Sequence, residues 1–140
     1  MAGRVEASVR LKVPFHDVDS MQVVWHGHYL KYFEQARQAM AEKSALDMYT
    51  YHETSGFTFP VIRSSVKHVY PLRLGDEFIC TVILKEAKVK IVMDYEVRLA
   101  EDQRLCARGR TEQVALRLDN FEMELMIPED VQEALWAIDS

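Results

Sequence analysis

Residues 15–29, FHDVDSMQVVWHGHY, gather two carboxylates and three of the chain's five histidines around one glycine. Asp17 and Asp19 are two positions apart, so in an extended segment both side chains point the same way. Two close carboxylates push each other's pKa apart and leave one the better base. The competing reading is that each accepts backbone N–H groups of a turn. His26 and His28 flank Gly27 just before a long helical pattern. Unpaired N–H groups and the positive end of a helix dipole at such a point stabilise an oxygen that gains negative charge. The alternative for each histidine is an ordinary surface or core imidazole. His16, Asp17, Asp19, His26 and His28 also supply metal-ligand atom types, but no two of these histidines have the i, i+4 spacing of a helical zinc motif, and no metal is expected.

Other chemistry has less support. Ser20, Ser44, Ser55, Ser64 and Ser65 lack a G-x-S-x-G setting, and neither Cys80 nor Cys106 has a histidine near it in sequence. No G-x-G-x-x-G or G-x-x-x-x-G-K-S/T run is present, so dinucleotide and P-loop nucleotide binding have no motif. Lys85, Lys88 and Lys90 bracket a turn between two predicted strands, where they either hold phosphate groups or keep a solvated hairpin from aggregating. Glu34 on the helix reads either as a catalytic carboxylate or as a surface partner of Lys31 or Arg37 at i±3.

The elements that must position these residues follow from periodicity. Residues 4–13 alternate, with Val5, Ala7, Val9, Leu11 and Val13 on one side, and Pro14 ends that strand. Residues 29–47 read as a helix with Tyr29, Phe33, Ala36 and Met40 on one face. A short helical or turn piece at 48–55 ends at Gly56. Residues 57–70 are β-rich with a bend at Pro60, residues 78–84 are a continuous apolar run, residues 89–99 alternate, and residues 105–118 form a last long strand. Small residues at Ala107, Gly109 and Thr111 leave room for a helix to lie close to that strand. Pro128-Glu129-Asp130 starts a C-terminal helix docked by Val131, Leu135 and Ile138. Helical and strand patterns do not alternate, so the class is α+β, a sheet curled around a long helix.

The 140 residues make one domain, 1–140, and 49% apolar against 28% charged composition excludes a disordered chain. A net charge of −5 gives no general pull toward nucleic acid. No apolar run reaches membrane-spanning length, the first twenty residues lack a secretion signal, and the two cysteines read as reduced core thiols; a cytoplasmic location is expected.

Taken together, the segment from Phe15 to Tyr29 followed by LKYFEQAR closely resembles the hotdog-fold acyl-CoA thioesterases, of the 4-hydroxybenzoyl-CoA thioesterase type and the related Tol-Pal-associated type. The pattern of that family runs aromatic-x-D-x-D-x-x-G-V-V-W/Y-H/Y-x-x-Y, then a helix ending in an A-R pair. Asp17, Asp19, Val23, Val24, Trp25, His26, Tyr29, Ala36 and Arg37 match it. The element order fits over nearly the whole chain, including PLRLGDE at 71–77. The resemblance implies a five-stranded antiparallel sheet wrapped around the long helix, and a homodimer or homotetramer with active sites at a subunit interface. It makes Asp19 the catalytic carboxylate. It puts His26 by the thioester carbonyl, its backbone N–H serving the developing oxyanion, and turns Lys88 and Lys90 toward the phosphates of CoA. One departure is plain: the family glycine is Gln22 here.

The expected activity is hydrolysis of a small or medium acyl-CoA, aliphatic or aromatic. Asp19 and His26 are the catalytic pair, and Gln22, Trp25, Tyr29, Lys88 and Lys90 contact substrate. A thioester carbonyl is electrophilic and a thiolate leaves readily, so a carboxylate acting as base or nucleophile suffices without cofactor. The alternatives are hydrolysis of thioesters on an acyl-carrier protein, and a non-catalytic acyl-CoA-binding module. Trp25, Tyr29, Phe33, Phe57 and Phe59 either line an acyl pocket or belong to the core.

Overall fold

The computed structural model describes residues 4–139. Strand β1 (Glu6–Lys12) is followed by two 3₁₀ turns, Phe15–Asp17 and His26–His28, and by helix α1 (Tyr29–Glu42). A short helix α2 (Tyr51–Ser55) leads into β2 (Phe57–Thr58) and β3 (Val61–His68). Strands β4 (Glu77–Glu86), β5 (Ile91–Leu99), β6 (Leu105–Gln113) and β7 (Leu116–Arg117) precede helix α3 (Glu129–Trp136). The main sheet has the order β1-β4-β5-β6-β3 with every pairing antiparallel, and β2 pairs with β7 in a separate ribbon.

The apolar faces close as their spacing dictates. Tyr29, Phe33, Ala36 and Met40 of α1 are buried, and so is Tyr32, which widens the stripe. The Phe33 ring stacks on Tyr95 of β5 at 4.5 Å, and Tyr32 meets Phe78 of β4 at 4.8 Å. Gly109 allows the helix this close to β6: a Cβ there would collide with the Phe33 ring and lie 2.8 Å from the Ser65 carbonyl oxygen. Val131, Leu135 and Ile138 dock α3 into the same core. Both cysteines are buried and free, and desolvation raises the Cys80 thiol to about 12.

Three elements differ from the sequence expectation by more than two residues. Helix α1 stops at Glu42 and not at 47, because Ser44 Oγ accepts the Leu46 amide and Asp47 Oδ1 the Tyr49 amide, local bonds that compete with a continued helix. The β-rich stretch 57–70 splits at Pro60, whose missing N–H breaks the ladder. The last strand breaks after Gln113, where Val114 and Ala115 turn inward and β7 leaves the sheet for β2.

Candidate active site

The segment between β1 and α1 folds as a small hairpin laid against the approach to β4. Val18 bridges Val24, and Val23 bridges Arg73. The Val24 amide donates to Leu72 O at 2.8 Å and the Leu74 amide to Gln22 O at 3.3 Å, so residues 22–24 run beside residues 72–74. At the hairpin tip the Gln22 amide donates to Asp19 O at 3.0 Å and the Asp19 amide to Val23 O at 2.9 Å. A three-residue loop of this kind closes on a left-handed residue, a slot usually filled by glycine. Gln22 occupies it with φ 64°. The Gln22 departure therefore changes the side chain while keeping the glycine-type backbone.

The two aspartates do not form a facing pair; the 3₁₀ turn at Phe15–Asp17 sends them opposite ways. Asp17 is 1% exposed. Its carboxylate accepts Lys31 Nζ at 2.7 Å and the Tyr32 hydroxyl at 2.6 Å, with His16 at 3.6 Å and His28 at 4.0 Å. Burial pushes the Asp17 carboxyl up, but the Lys31 and Tyr32 hydrogen bonds and the Lys31 and His28 charges outweigh it, so the carboxyl titrates below its ordinary value. Burial and the Asp17 charge push the Tyr32 phenol far up, which keeps it a donor. Asp17 thus ties the hairpin to α1. Lys31, expected beside Glu34, is taken by Asp17, and Glu34 is left to Arg37 at 3.9 Å.

Asp19 is exposed at the tip, where its Oδ1 accepts the Met21 amide at 2.8 Å. This is the turn bond that the alternative reading of the aspartates anticipated, and it leaves Oδ2 without a protein donor among the described residues. Exposed Phe15, Met21 and Trp25 surround the hairpin with apolar surface. The Trp25 ring folds over Gly27, where any Cβ would collide with it, and meets the His26 ring at 4.7 Å and the His28 ring at 5.5 Å. The His26 and Gly27 amides, which open the second 3₁₀ turn, donate to no protein acceptor among the described residues.

Tyr29 is buried, and its hydroxyl accepts the Leu72 amide at 3.4 Å; burial raises its pKa. Within one chain it supports the hairpin from below and offers no open surface. His68, at the end of β3, was not among the expected residues, yet its ring lies 4.8 Å from Tyr29 and 6.5 Å from His26. The β3–β6 register, with His68 opposite Ala107, and the pairing of 22–24 with 72–74 bring it there, and no local pattern signals it.

Lys88 and Lys90 are not brought to this hairpin within the chain. They sit on the turn after β4, while the hairpin adjoins the start of that strand. Ten residues from Glu77 to Glu86, at about 3.3 Å each, separate the two ends by about 30 Å. Lys90 Nζ is also paired with Glu112 at 2.9 Å. Of the candidate pocket aromatics, Phe33 is core, whereas Phe59 lines a cleft of about 430 Å³ with Met40, Met48, Met93, Glu34 and Arg37. Among the described residues no three His, Cys, Asp or Glu side chains converge as a metal site, and no helix is long and apolar enough to cross a membrane.

Residues 13–135 match the model of the thioesterase-like superfamily. A 1,4-dihydroxy-2-naphthoyl-CoA hydrolase of Nostoc punctiforme is 28% identical over 90 residues, which is 64% of this chain and 61% of that relative's length. The crystal structure of Slr0204, a 1,4-dihydroxy-2-naphthoyl-CoA thioesterase from Synechocystis, superposes with a TM-score of 0.85 at 22% identity, covering 96% of this chain and 98% of that one. A 4-hydroxybenzoyl-CoA thioesterase mutant complexed with 4-hydroxybenzoyl-CoA superposes with a TM-score of 0.82 at 16% identity, covering 94% and 99%. Both structural likenesses establish a shared fold.

Proposed function

The chain belongs to the thioesterase-like superfamily, and from that premise we propose that it hydrolyses acyl-CoA thioesters to a free acid and CoA. The observation that carries this reading is the open carboxylate of Asp19, held by a single main-chain donor on the hairpin that runs into the His26–His28 turn, where the His26 and Gly27 amides have no protein acceptor among the described residues. Asp19 either deprotonates a water that attacks the thioester carbonyl, or attacks it directly to give a mixed anhydride that water then opens. In both routes the C–S bond breaks, the thiolate leaves, and the His26 amide donates to the carbonyl oxygen as it gains charge. A base contributes roughly 10²–10⁴ in rate and an oxyanion donor about 10²–10³, enough for a bond with so good a leaving group.

Gln22 and Trp25 flank the acyl group in this reading, and Tyr29 holds the hairpin from beneath. Aromatic acyl groups are the first class to test. The relatives are named for naphthoyl and hydroxybenzoyl thioesters, and half-exposed Trp25 gives a planar group a face to stack on. A homodimer or homotetramer belongs to the same proposal. Strand β3 is a sheet edge exposed along almost its whole length, Val61 and Ile62 included, and such an edge is a template for a second copy. A second copy would also decide whether Lys88 and Lys90 reach a neighbour's substrate.

The test is thiol release from a panel of aromatic and aliphatic acyl-CoAs, run beside light scattering for the assembly size. Turnover with a preference for aryl groups is expected. Binding of acyl-CoA without thiol release across the panel would replace this reading with that of a binding module.

A further inference from the structure

We propose that Arg73 and Arg104, gathered at the ring of Tyr70 beside the Asp19 hairpin, anchor the phosphate groups of the thiol that carries the acyl chain. The inference rests on the reading of this site as one for thioesters. It assigns to the same chain a contact that the lysines of the β4–β5 turn, about 30 Å away, cannot supply without a second copy.

The placement follows from the backbone. Arg73 is the residue that bridges Val23, and Val23 O accepts the amide of Asp19. Tyr70 follows β3, and its amide donates to Cys106 O at 3.0 Å, which brings it beside Arg104 at the start of β6. The Arg104 guanidinium lies over the Tyr70 ring at 3.8 Å, and that of Arg73 lies 6.0 Å from the ring centre. Two cations therefore share one aromatic ring.

Carboxylates are close by, yet none of them makes an ion pair with these two guanidinia. Asp76 Oδ2 accepts the main-chain amide of Arg73 at 2.8 Å, and Asp102 Oδ1 accepts that of Arg104 at 3.0 Å. Each aspartate is turned onto its own loop, and among the described residues neither guanidinium has a carboxylate within ion-pair distance. Most other arginines of the chain differ: Arg10, Arg37, Arg98, Arg110 and Arg117 all have carboxylate partners. A planar guanidinium fixed against a ring keeps its edge N–H donors free, the arrangement that matches a phosphate in bidentate fashion.

In a CoA thioester the phosphates stand a pantetheine arm away from sulfur, so their anchor is a site separate from the carboxylate, on a neighbouring loop. A carrier-protein thioester has one phosphate at the same end of the arm and no nucleotide. Both sources share the phosphate chemistry, and they separate in the test.

Free CoA, 4′-phosphopantetheine and pantetheine are titrated by calorimetry into wild type, Arg73→Gln, Arg104→Gln, the double variant, and Lys88→Ala/Lys90→Ala. Each arginine change is expected to weaken CoA binding about tenfold and the double change about a hundredfold at low salt, with pantetheine unaffected. An equal loss for 4′-phosphopantetheine assigns the pair to the phosphate common to CoA and carrier protein; a loss confined to CoA assigns it to the nucleotide end. Wild-type CoA binding left intact in the double variant overturns the proposal. So does an equal loss with pantetheine, or a loss seen only in the lysine variant. Folding of each variant is checked by its Tm. These titrations need no turnover, so failure of the hydrolysis reading shows separately, as absent thiol release by a wild-type protein that still binds CoA through the two arginines.

Discussion

Replacing Gln22 by glycine should stabilise the protein, although it deletes a side chain. Gln22 holds φ 64° because the hairpin closes on a left-handed residue, with bonds from its amide to Asp19 O and from the Leu74 amide to its carbonyl. For a side chain with a Cβ this conformation costs about 1–2 kcal/mol. Glycine removes that cost but loses about 0.5–1 kcal/mol more backbone entropy on folding. The Gln22 side chain is exposed and makes no hydrogen bond among the described residues, so its loss subtracts little. Taking the middle of each range, the net gain is about 0.75 kcal/mol, which for a chain of this length raises Tm by about 2–3 °C. A series at this position separates backbone strain from side-chain contacts. The expected order of Tm is glycine, then asparagine, then glutamine with alanine, then valine, because a β-branched residue tolerates this region least. Thermal unfolding followed by circular dichroism reads the order directly. If Gln22→Gly lowers Tm while Gln22→Val leaves it unchanged, the strain argument is wrong and the glutamine side chain stabilises by a contact made elsewhere, for instance in an oligomer.

Asp17→Ala should cost about 2–4 kcal/mol at pH 7, since it strands the buried Tyr32 hydroxyl and frees Lys31. The folded-state pKa of Asp17 lies below its unfolded value. Its stabilisation is therefore present above about pH 4 and lost as pH falls through the folded pKa, and urea titrations at pH 7 and pH 3 should show the variant's deficit shrinking with acid. Gly109→Val should be among the most destabilising single changes, because its side chain must displace the Phe33 ring from Tyr95; a Tm within 2 °C of wild type, a shift too small for such a clash, would show that α1 does not lie this close to β6. Cys80 and Cys106 should resist a thiol reagent in the native protein and react on addition of denaturant, given their burial and raised pKa values.

The parts of this molecule that were legible beforehand are those encoded by local period. The alternation of β1 and β5, the apolar stripe of α1, the small residues facing that helix and the docking residues of α3 all stand where the spacing puts them. The loop carrying Asp19 and His26 was legible as a cluster of types; that Gln22 closes it in the left-handed region shows only in the fold. The orientation of its side chains was not legible either. A single 3₁₀ turn separates Asp17 from Asp19, and nothing in a two-residue spacing encodes that turn. Lys31 leaves its helical neighbours for Asp17 because a buried carboxylate competes more strongly than an exposed one. His68 comes to Tyr29 and His26 from β3, and Arg73 and Arg104 come to Tyr70 from the approach to β4 and the start of β6. Their gathering depends on long-range register, which no local pattern records.

The central claim is that Asp19 carries the chemistry, and Asp19→Asn tests it most directly. Asparagine keeps an oxygen for the Met21 amide, so Tm should move by less than about 2 °C, as for other exposed substitutions. On the best acyl-CoA of the panel, kcat/KM should fall by roughly 10²–10⁴. A variant that folds as wild type and releases thiol at the wild-type rate would contradict the account and move the catalytic role to another group.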